Sequence, residues 1–426
     1  MPGRRTTWSD ARRGLGYDPA MIDIRSIEPD ELRAWIETMH AVYFMRTSVD
    51  EEVLYRRERI DYARAFAAVD EGRIVATFRS FGSDLTVPGG GRVPADAVTN
   101  VGVMPTHRRR GVLTGMMSRD LRAAADRGDV VSMLFASEGP IYGRYGYGVA
   151  TEHAQVLLRR ANVRWRELPE GDVEVVSWTR LREMAPAIYD RFRAAQPGSM
   201  GVDPKRWDSM FGIGPTPFGP RPGDQAAVCR DASGEPQGWL RYRGEETWTE
   251  TRPAGTLSVL DLIAATPEAY ARLWRFAAEI DLIAEIRAEG RPIAELLSWL
   301  LADRRAVHQT ARHDGLWVRV LDVRAALSAR RYPVAGELVI EVVDEAGFAN
   351  GRFRLEGGPD GANCLPTHVE PDLVMTVEAL GAAYLGGTKL SLLAPAGLLE
   401  ERRPGSLGLA DVLFGWPVVP WCCTEF

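Results

Sequence analysis

The sequence has no long uninterrupted run of apolar residues, which excludes a membrane-spanning helix, since such a helix needs about 20 of them. Cysteine is scarce as well. The 426 residues include four, Cys229, Cys364, Cys422 and Cys423, and their positions show no metal-ligand spacing. We therefore expect no metal site, and free thiols in a reducing, cytoplasmic compartment.

Lysine is almost missing too, since Lys205 and Lys389 are the only two and arginine supplies nearly all of the positive charge. The net charge is −6. A general nucleic-acid binder carries the opposite excess, so no nucleic-acid partner is predicted. The basic residues 1–20 lack the apolar core of a secretory signal, and we expect a disordered extension there, with Met21 as an alternative start.

The informative stretch lies between Val101 and Gly148. An apolar, β-branched strand ends at Val103, a basic turn containing glycine follows, and a helix begins at about Val112. Backbone N–H groups converge at such a turn, the helix N-terminus adds partial positive charge, and the arginines add full charges. The turn is a candidate seat for a phosphate or pyrophosphate, the alternative being an ordinary solvated arginine face.

A second apolar strand, 130–135, and the loop SEGPIYG, 137–143, complete this stretch. The order of strand, R-x-x-G turn, helix, strand and tyrosine loop resembles the cofactor core of the GCN5-related N-acetyltransferases (GNAT). The motifs VxVxPxHRRRGxL and SEGxIYGRxGYG are similar to those of the Eis (enhanced intracellular survival) proteins within that superfamily. Leu113 departs from the glycine or alanine of the general family but suits the Eis-like subset.

The resemblance implies a mixed α/β (α+β) fold in three units. These are an acetyltransferase domain over 21–160, a second, degenerate acetyltransferase domain over 161–307 and a sterol-carrier-protein-like α+β domain over 308–426. The second unit repeats the element order of the first, but no R-x-x-G turn precedes its helix at Pro267. In the third unit, strands are followed by helices. No pattern in it indicates a lipid-binding cavity.

By the same resemblance, the first domain binds acetyl-CoA as a co-substrate. The turn would hold the pyrophosphate, and the preceding strand would hydrogen-bond the pantetheine arm. The residues that match cofactor-binding positions are Val101, Val103, Arg109, Arg110, Gly111, Val112, Leu113, Thr114, Ser137 and Glu138. For Ser137 an alternative role is to cap the turn that follows it.

The carboxyl end, WPVVPWCCTEF, is rich in aromatic residues and proline and carries little charge, unlike a disordered tail. Either it packs on the third domain, or, as the resemblance implies, it places the α-carboxylate of Phe426 in the active site as general base. Glu425 would then line the amine site. A base is needed because an amine with a lysine-like pKa is protonated at neutral pH and cannot attack a thioester.

The leaving thiolate needs a proton donor, for which Tyr142, Tyr145 and Tyr147 are candidates. The motif match places the general acid at Tyr142, and the other two would pack or cap the loop. The implied reaction is direct acetyl transfer, in a ternary complex, to primary amines of aminoglycosides, polyamines or lysine side chains. The resemblance also implies a homo-hexamer. Transfer of another acyl group, and non-enzymatic lipid binding by the third domain, are the alternatives.

Overall fold

The computed structural model describes residues 22–167, 171–214 and 216–426; the extension expected over 1–20 lies outside them. The described residues form three large β-sheets, with α-helices packed against them, and a short two-stranded ribbon. The predicted mixed α+β class is confirmed.

The first part of the chain contains six strands and three α-helices. In order they are β1 (Asp23–Ser26), α1 (Leu32–Tyr43), α2 (Val49–Arg57), β2 (Ala65–Asp70), β3 (Arg73–Thr86), β4 (Arg92–Val103), α3 (Val112–Arg127), β5 (Val131–Phe135) and β6 (Gly148–Val149). Two glycines with left-handed backbone bound α3, Gly111 with φ 79° and Gly128 with φ 83°. Its apolar stripe, including Met116 and Leu121, is buried against the sheet.

The middle part follows the same plan. Its elements are β7 (Glu152–Arg159), β8 (Val173–Val176), α4 (Trp178–Ala195), α5 (Pro204–Met210), β9 (Asp224–Arg230), β10 (Pro236–Glu245), β11 (Trp248–Thr249), β12 (Arg252–Pro253), β13 (Gly255–Ala264), α6 (Pro267–Glu279), β14 (Ile283–Pro292) and α7 (Leu297–Leu300). Thr266 caps the N-terminus of α6 through its side chain, and Pro267 occupies the first turn, as helix starts favour.

The last part completes all three sheets. Its elements are β15 (Val307–Asp314), β16 (Leu316–Val320), α8 (Val323–Ala329), β17 (Gly336–Val343), β18 (Gly351–Gly358), β19 (Gly361–Pro366), β20 (Leu373–Thr376), α9 (Val377–Ala383), α10 (Leu390–Leu393), β21 (Leu399–Glu401) and α11 (Ser406–Phe414).

The first two sheets share one topology. The first has the strand order β1-β2-β3-β4-β5-β16-β6, and the second has β15-β7-β14-β13-β10-β9-β8. Each contains a single parallel pair, β4 with β5 and β13 with β14, and a helix connects the two strands of each pair. The third sheet has the order β19-β18-β17-β20-β21. The repeated pattern agrees with the expectation of two similar units followed by a different one.

Three strands depart from the predicted domain ranges. β7 lies within the range expected for the first domain but pairs with β14 and β15 in the second sheet. β15 itself, apart from Val307, lies within the range expected for the third domain. β16 lies within the range expected for the third domain but inserts between β5 and β6 of the first sheet. An apolar pattern predicts that a segment is a strand, but it does not identify the sheet that the strand joins, because the partners are distant in sequence.

A buried ion pair connects β16 to the third sheet. Arg319 on β16 is fully buried, and its Nη2 lies 3.0 Å from both carboxylate oxygens of Asp344, directly after β17. Asp344 also accepts hydrogen bonds from the backbone N–H groups of Ala346 and Ala349 at 3.1 and 2.9 Å. The first and third units therefore share one interior, and the first sheet is complete only with a strand from the carboxyl-terminal part.

Replacing Asp344 with alanine should destabilise the fold strongly, because the charge of Arg319 would remain buried without its partner. We expect the free energy of unfolding to fall by about 3–5 kcal/mol in urea titrations. The control is Glu337→Ala, which breaks the Glu337–Arg354 pair, whose side chains are 50% and 47% exposed. Such exposed pairs contribute little, so no measurable loss is expected. Similar losses in both variants would contradict this role of the buried pair.

Candidate active site

β4 pairs with β5 only from Ala95 to Val98. The last parallel pair is Val98 with Leu134, and β4 then continues to Val103 alongside β3 alone. Strands that separate inside a sheet leave backbone N–H and C=O groups that need other partners. The sheet therefore has a wedge-shaped opening, and the predicted cofactor residues Val101 and Val103 lie, half-buried, on its β4 edge.

A bulge in β4 accompanies the separation. The register between β3 and β4 shifts near Arg79, and Asn100 has a left-handed φ of 53°, a conformation that asparagine tolerates better than most residues. Thr77 Oγ1 donates to the carbonyl of Asn100 at 2.9 Å, and Arg56 Nη1 donates to its side-chain oxygen at 3.3 Å. The sequence pattern does not predict this bulge, although an asparagine within an apolar strand is a signal for one.

The basic turn lies at the N-terminus of α3. Arg109 and Gly111 both have left-handed backbone, with φ of 63° and 79°. A side chain built on Gly111 would meet no atom within 4 Å, so the turn faces open space. The three arginines of the turn, Arg108, Arg109 and Arg110, are exposed. A helix N-terminus, backbone donors and these charges together suit an anion.

The first two residues of α3 also belong to the apolar core. Val112 is buried and Leu113 is partly buried among the side chains between α3 and the first sheet. Their side chains hold the helix in place. What they offer a ligand at the turn is their backbone N–H groups, which have no partner within the helix.

The tyrosine loop lies against the turn. Glu138 Oε1 is 4.0 Å from Nη2 of Arg108, and the hydroxyl of Tyr145 is 3.1 Å from Oγ1 of Thr114 in the first turn of α3. Ser137, the remaining predicted loop residue, is exposed. The fold thus brings the turn, the start of α3 and the loop after β5 to one place, as the order of motifs predicts.

The three candidate tyrosines have different surroundings. Tyr147 is fully buried, and its hydroxyl lies 2.7 Å from Oγ of Ser132. Tyr145 contacts α3. Tyr142 is 4% exposed, and burial raises the pKa of its hydroxyl above the usual value, an effect that hydrogen bonding with Ser137 opposes. A raised pKa keeps the Tyr142 hydroxyl protonated at neutral pH, as a proton donor requires.

Tyr43, the last residue of α1, is a site residue that the sequence pattern does not reveal. Its hydroxyl donates to the carbonyl of Val101 at 2.7 Å and so occupies an acceptor on the β4 edge. Desolvation raises the pKa of Tyr43, and the neighbouring Tyr142 adds to that rise. Tyr43 therefore lies at the opening, next to Val101, with Tyr142 near it.

The carboxyl-terminal residue lies across the first sheet at the opening. The ring of Phe426 packs edge-on against Phe81 on β3 and Phe135 on β5, with centroid distances of 5.4 and 5.3 Å. Phe135 directly follows Leu134, the last residue of β5 that pairs with β4. Phe426 therefore lies at the level where the two strands separate.

The residues before Phe426 are fixed mainly to the second unit. Trp421 lies in its apolar core and donates from Nε1 to the carbonyl of Gly290 at 2.8 Å. The hydroxyl of Thr424 lies 3.2 Å from that of Tyr189 on α4. The carboxyl end thus packs on the second unit as well as on the third, whose core includes Cys422.

Glu425 is exposed, and its carbonyl accepts a hydrogen bond from Arg206 on α5. Its carboxylate forms no ion pair or hydrogen bond with the residues that the structure describes. Over the same residues, no group of histidine, cysteine, aspartate or glutamate is placed to hold a metal ion. No helix in the described ranges is long and apolar enough to cross a membrane.

Family models match each of the three units. An acetyltransferase (GNAT) domain matches residues 23–150, a further acetyltransferase (GNAT) domain matches 198–324, and a sterol carrier protein domain matches 323–423. The predicted sequence of two GNAT domains and a sterol-carrier-protein-like domain is confirmed. A GCN5-related N-acetyltransferase from Anabaena variabilis has the same fold, with a TM-score of 0.82 at 18% identity and coverage of 95% of this chain and 100% of that one.

Closer relatives extend over most of the chain. An uncharacterized N-acetyltransferase of Streptomyces avermitilis is 41% identical over 415 residues, which are 96% of this chain and 99% of the relative. The N-acetyltransferase Eis of Mycobacterium tuberculosis is 35% identical over 360 residues, 80% and 83% of the two chains. Eis1 from Mycobacterium abscessus superposes with a TM-score of 0.83 at 34% identity, covering 95% of this chain and 100% of that one. The chain is therefore an N-acetyltransferase and belongs to the Eis family of the GNAT superfamily.

Proposed function

We propose that this enzyme transfers the acetyl group of acetyl-CoA directly to a primary amine within a ternary complex. The observation that carries the proposal is the position of Phe426, whose ring lies where β4 and β5 separate. Its α-carboxylate, the unpaired β4 edge and the buried Tyr142 then surround one opening in the sheet.

The cofactor would lie along the predicted residues. The pyrophosphate binds the turn through the charges of Arg109 and Arg110 and the N–H groups from Gly111 to Thr114. The pantetheine arm extends along the β4 edge at Val101 and Val103, bordered by Ser137 and Glu138. A backbone N–H on this edge hydrogen-bonds the thioester oxygen, which stabilises the negative charge that develops during attack.

The proposed reaction needs one group that accepts a proton and another that donates one. The α-carboxylate of Phe426 accepts a proton from the amine, which then forms its bond to the acetyl carbon. As the carbon–sulfur bond breaks, Tyr142 donates its proton to the coenzyme A thiolate. Its raised pKa favours the protonated form before this step. Glu425, adjacent and exposed, lines the amine side.

The acceptors that the resemblance implies are aminoglycosides, polyamines and exposed lysine side chains, and it implies a cytoplasmic homo-hexamer. The lipid-carrier alternative has little support in the third unit. There the buried Arg330 donates to the carbonyls of Tyr384 and Phe414 at 2.6 and 2.7 Å. An interior built around a charged side chain is poorly suited to an apolar lipid chain.

Gly111→Glu should weaken acetyl-CoA binding by at least about tenfold, because it places a carboxylate at the proposed pyrophosphate seat. Gly128→Glu is the matched control, since Gly128 has similar backbone, φ 83°, and equally open surroundings at the other end of α3. Isothermal titration calorimetry with acetyl-CoA measures both. Equal affinity in the two variants would refute the seat.

Tyr142→Phe should lower kcat about 10²- to 10⁴-fold, the usual contribution of a general acid, while acetyl-CoA affinity stays unchanged. Tyr145→Phe removes a hydroxyl from the same loop and should keep most of the activity. A thiol-release assay with acetyl-CoA and an amine gives kcat for each. Normal turnover by Tyr142→Phe would assign the acid elsewhere.

Amidation of the Phe426 α-carboxylate by protein ligation should abolish most turnover while leaving the unfolding temperature unchanged, because it removes one charge and no packing. The control is the same ligated chain with a free carboxylate. Activity is measured by thiol release and stability by thermal unfolding. If the amide and the free acid turn over equally fast, another group must act as the base.

A further inference from the structure

Four arginines lie on elements near the opening and the carboxyl end. Arg56 lies on α2, Arg59 just after the end of α2, Arg79 on β3 and Arg206 on α5. We call these four residues the arginine wall. None of them belongs to the basic turn, and the proposed acetyl transfer uses none of them. Their placement bears on which amine the enzyme accepts.

Arg79 lies one strand away from the opening. It pairs across β3 and β4 with Thr99, the first residue after Val98, where β4 leaves β5. Neighbouring strands are about 4.8 Å apart. Residues two apart on a strand lie on the same face, so Arg79 shares a face with Phe81. Its guanidinium carbon is 5.2 Å from the centre of the Phe81 ring, the ring that packs on Phe426.

Arg79 has no counter-charge of its own. Among the described residues, no carboxylate lies within 4.0 Å of its guanidinium and no group accepts a hydrogen bond from it. Desolvation, together with the charges of Arg56 and Arg206, lowers its pKa to about 10, while Tyr55 and Asp203 act in the opposite direction. An arginine held in a desolvated place without a partner costs free energy, and such perturbed groups are concentrated at functional sites.

Nearby carboxylates do not neutralise the wall. Glu52 is fully buried and already shared, since it accepts from Arg56 Nε at 2.7 Å and lies 2.6 Å from Nε2 of His40. Asp203 caps the N-terminus of α5 by accepting from the backbone N–H of Arg206. Asp203 keeps its charge and offsets part of those of Arg79 and Arg206, but two carboxylates against four arginines leave the wall with an excess of positive charge.

Arg206 and Arg59 each have one N–H group that donates no hydrogen bond to a described residue. The Nε atom of each is buried and has no hydrogen-bond partner in the part of the chain that the structure describes. Arg206 uses one terminal nitrogen for the carbonyl of Glu425, which places its guanidinium beside the carboxyl end. Unsatisfied buried donors next to an unpaired arginine are complementary to the oxygens of an anion.

We propose that the natural acceptor carries a carboxylate or phosphate in addition to its primary amine, and that Arg79, assisted by Arg206, binds this anionic group. The inference rests on the proposed acetyl transfer and specifies its substrate class. A planar guanidinium can hold either group through two parallel hydrogen bonds. A polycation such as an aminoglycoside or a polyamine would bring further positive charge to four arginines and would be disfavoured.

The test compares acceptors that differ only in the anionic group. A dipeptide is paired with its C-terminal amide, and phosphoethanolamine with ethanolamine; spermidine and an aminoglycoside represent polycations. Thiol release gives kcat/KM for each. We expect the native enzyme to prefer at least one anionic member over its neutral partner by about 10- to 100-fold, the range for a hydrogen bond to a charged group. Both polycations should be poorer acceptors than that anionic compound.

Arg79→Gln should reduce this preference to about one, because the loss in kcat/KM falls on the anionic acceptor; the neutral partner, assayed beside it, measures any general effect of the substitution. Arg57→Gln removes the same charge from an exposed position on α2 and should keep the full preference. Arg79→Lys keeps the charge but cannot donate two parallel hydrogen bonds to one anionic group, so an intermediate preference is expected. It also provides a second variant should Arg79→Gln fail to fold.

The outcomes separate the two proposals. Acetyl transfer without an anionic preference, or a preference that persists in Arg79→Gln, overturns the inference and leaves the acetyltransferase proposal standing. An equal loss with every acceptor would show that Arg79 positions the carboxyl end instead of binding substrate, and it also overturns the inference. If the native enzyme binds acetyl-CoA but acetylates no amine in the panel, the proposed amine acetylation itself fails.

Discussion

The separation of β4 from β5 after Val98 and Leu134 is the constraint on which the site depends. A fully paired sheet would have no free backbone edge there and no space for a substrate arm. The bulge at Asn100 keeps the strands apart, and its carbonyl and side chain are held by Thr77 and Arg56. The opening is thus a stable feature of the first sheet, with backbone groups already oriented for a ligand.

The second and third units complete the surroundings of this opening. β16 of the carboxyl-terminal part extends the first sheet beyond β5, and the buried Arg319–Asp344 pair attaches it to the third sheet. The second unit holds Trp421 and Thr424, so Phe426 reaches the opening from a fixed direction. In the proposed mechanism all three units are needed, because the first would contribute the cofactor seat but no base, whereas the last residue would contribute the base and is positioned by the second unit.

The parts of the fold and of the site that could be predicted are those encoded in short stretches of the sequence. The glycine turn, the period of α3 and the apolar run of β5 are encoded within about 40 residues, and both the elements and their relation to the tyrosine loop were predictable. The sheet membership of β7, β15 and β16 was not predictable, since it depends on pairing between segments that are distant in sequence. Tyr43 and Arg79 were missed for the same reason: what matters about them is a neighbour that is remote in sequence, Val101 for one and Phe426 with Phe81 for the other.

On the two proposals made above, the reaction and the choice of acceptor depend on different parts of this molecule. The turn, the β4 edge and Tyr142 involve backbone geometry and one hydroxyl, which any acetyl transfer from a thioester can use. The arginine wall consists of side chains that can change without altering the sheet. A fold shared with Eis proteins therefore supports the transfer step, whereas the acceptor must be inferred from this chain's own charges. Arg79, which has no carboxylate partner among the described residues and lies over the Phe81 ring that contacts Phe426, favours an amine that brings its own negative charge to the carboxyl end.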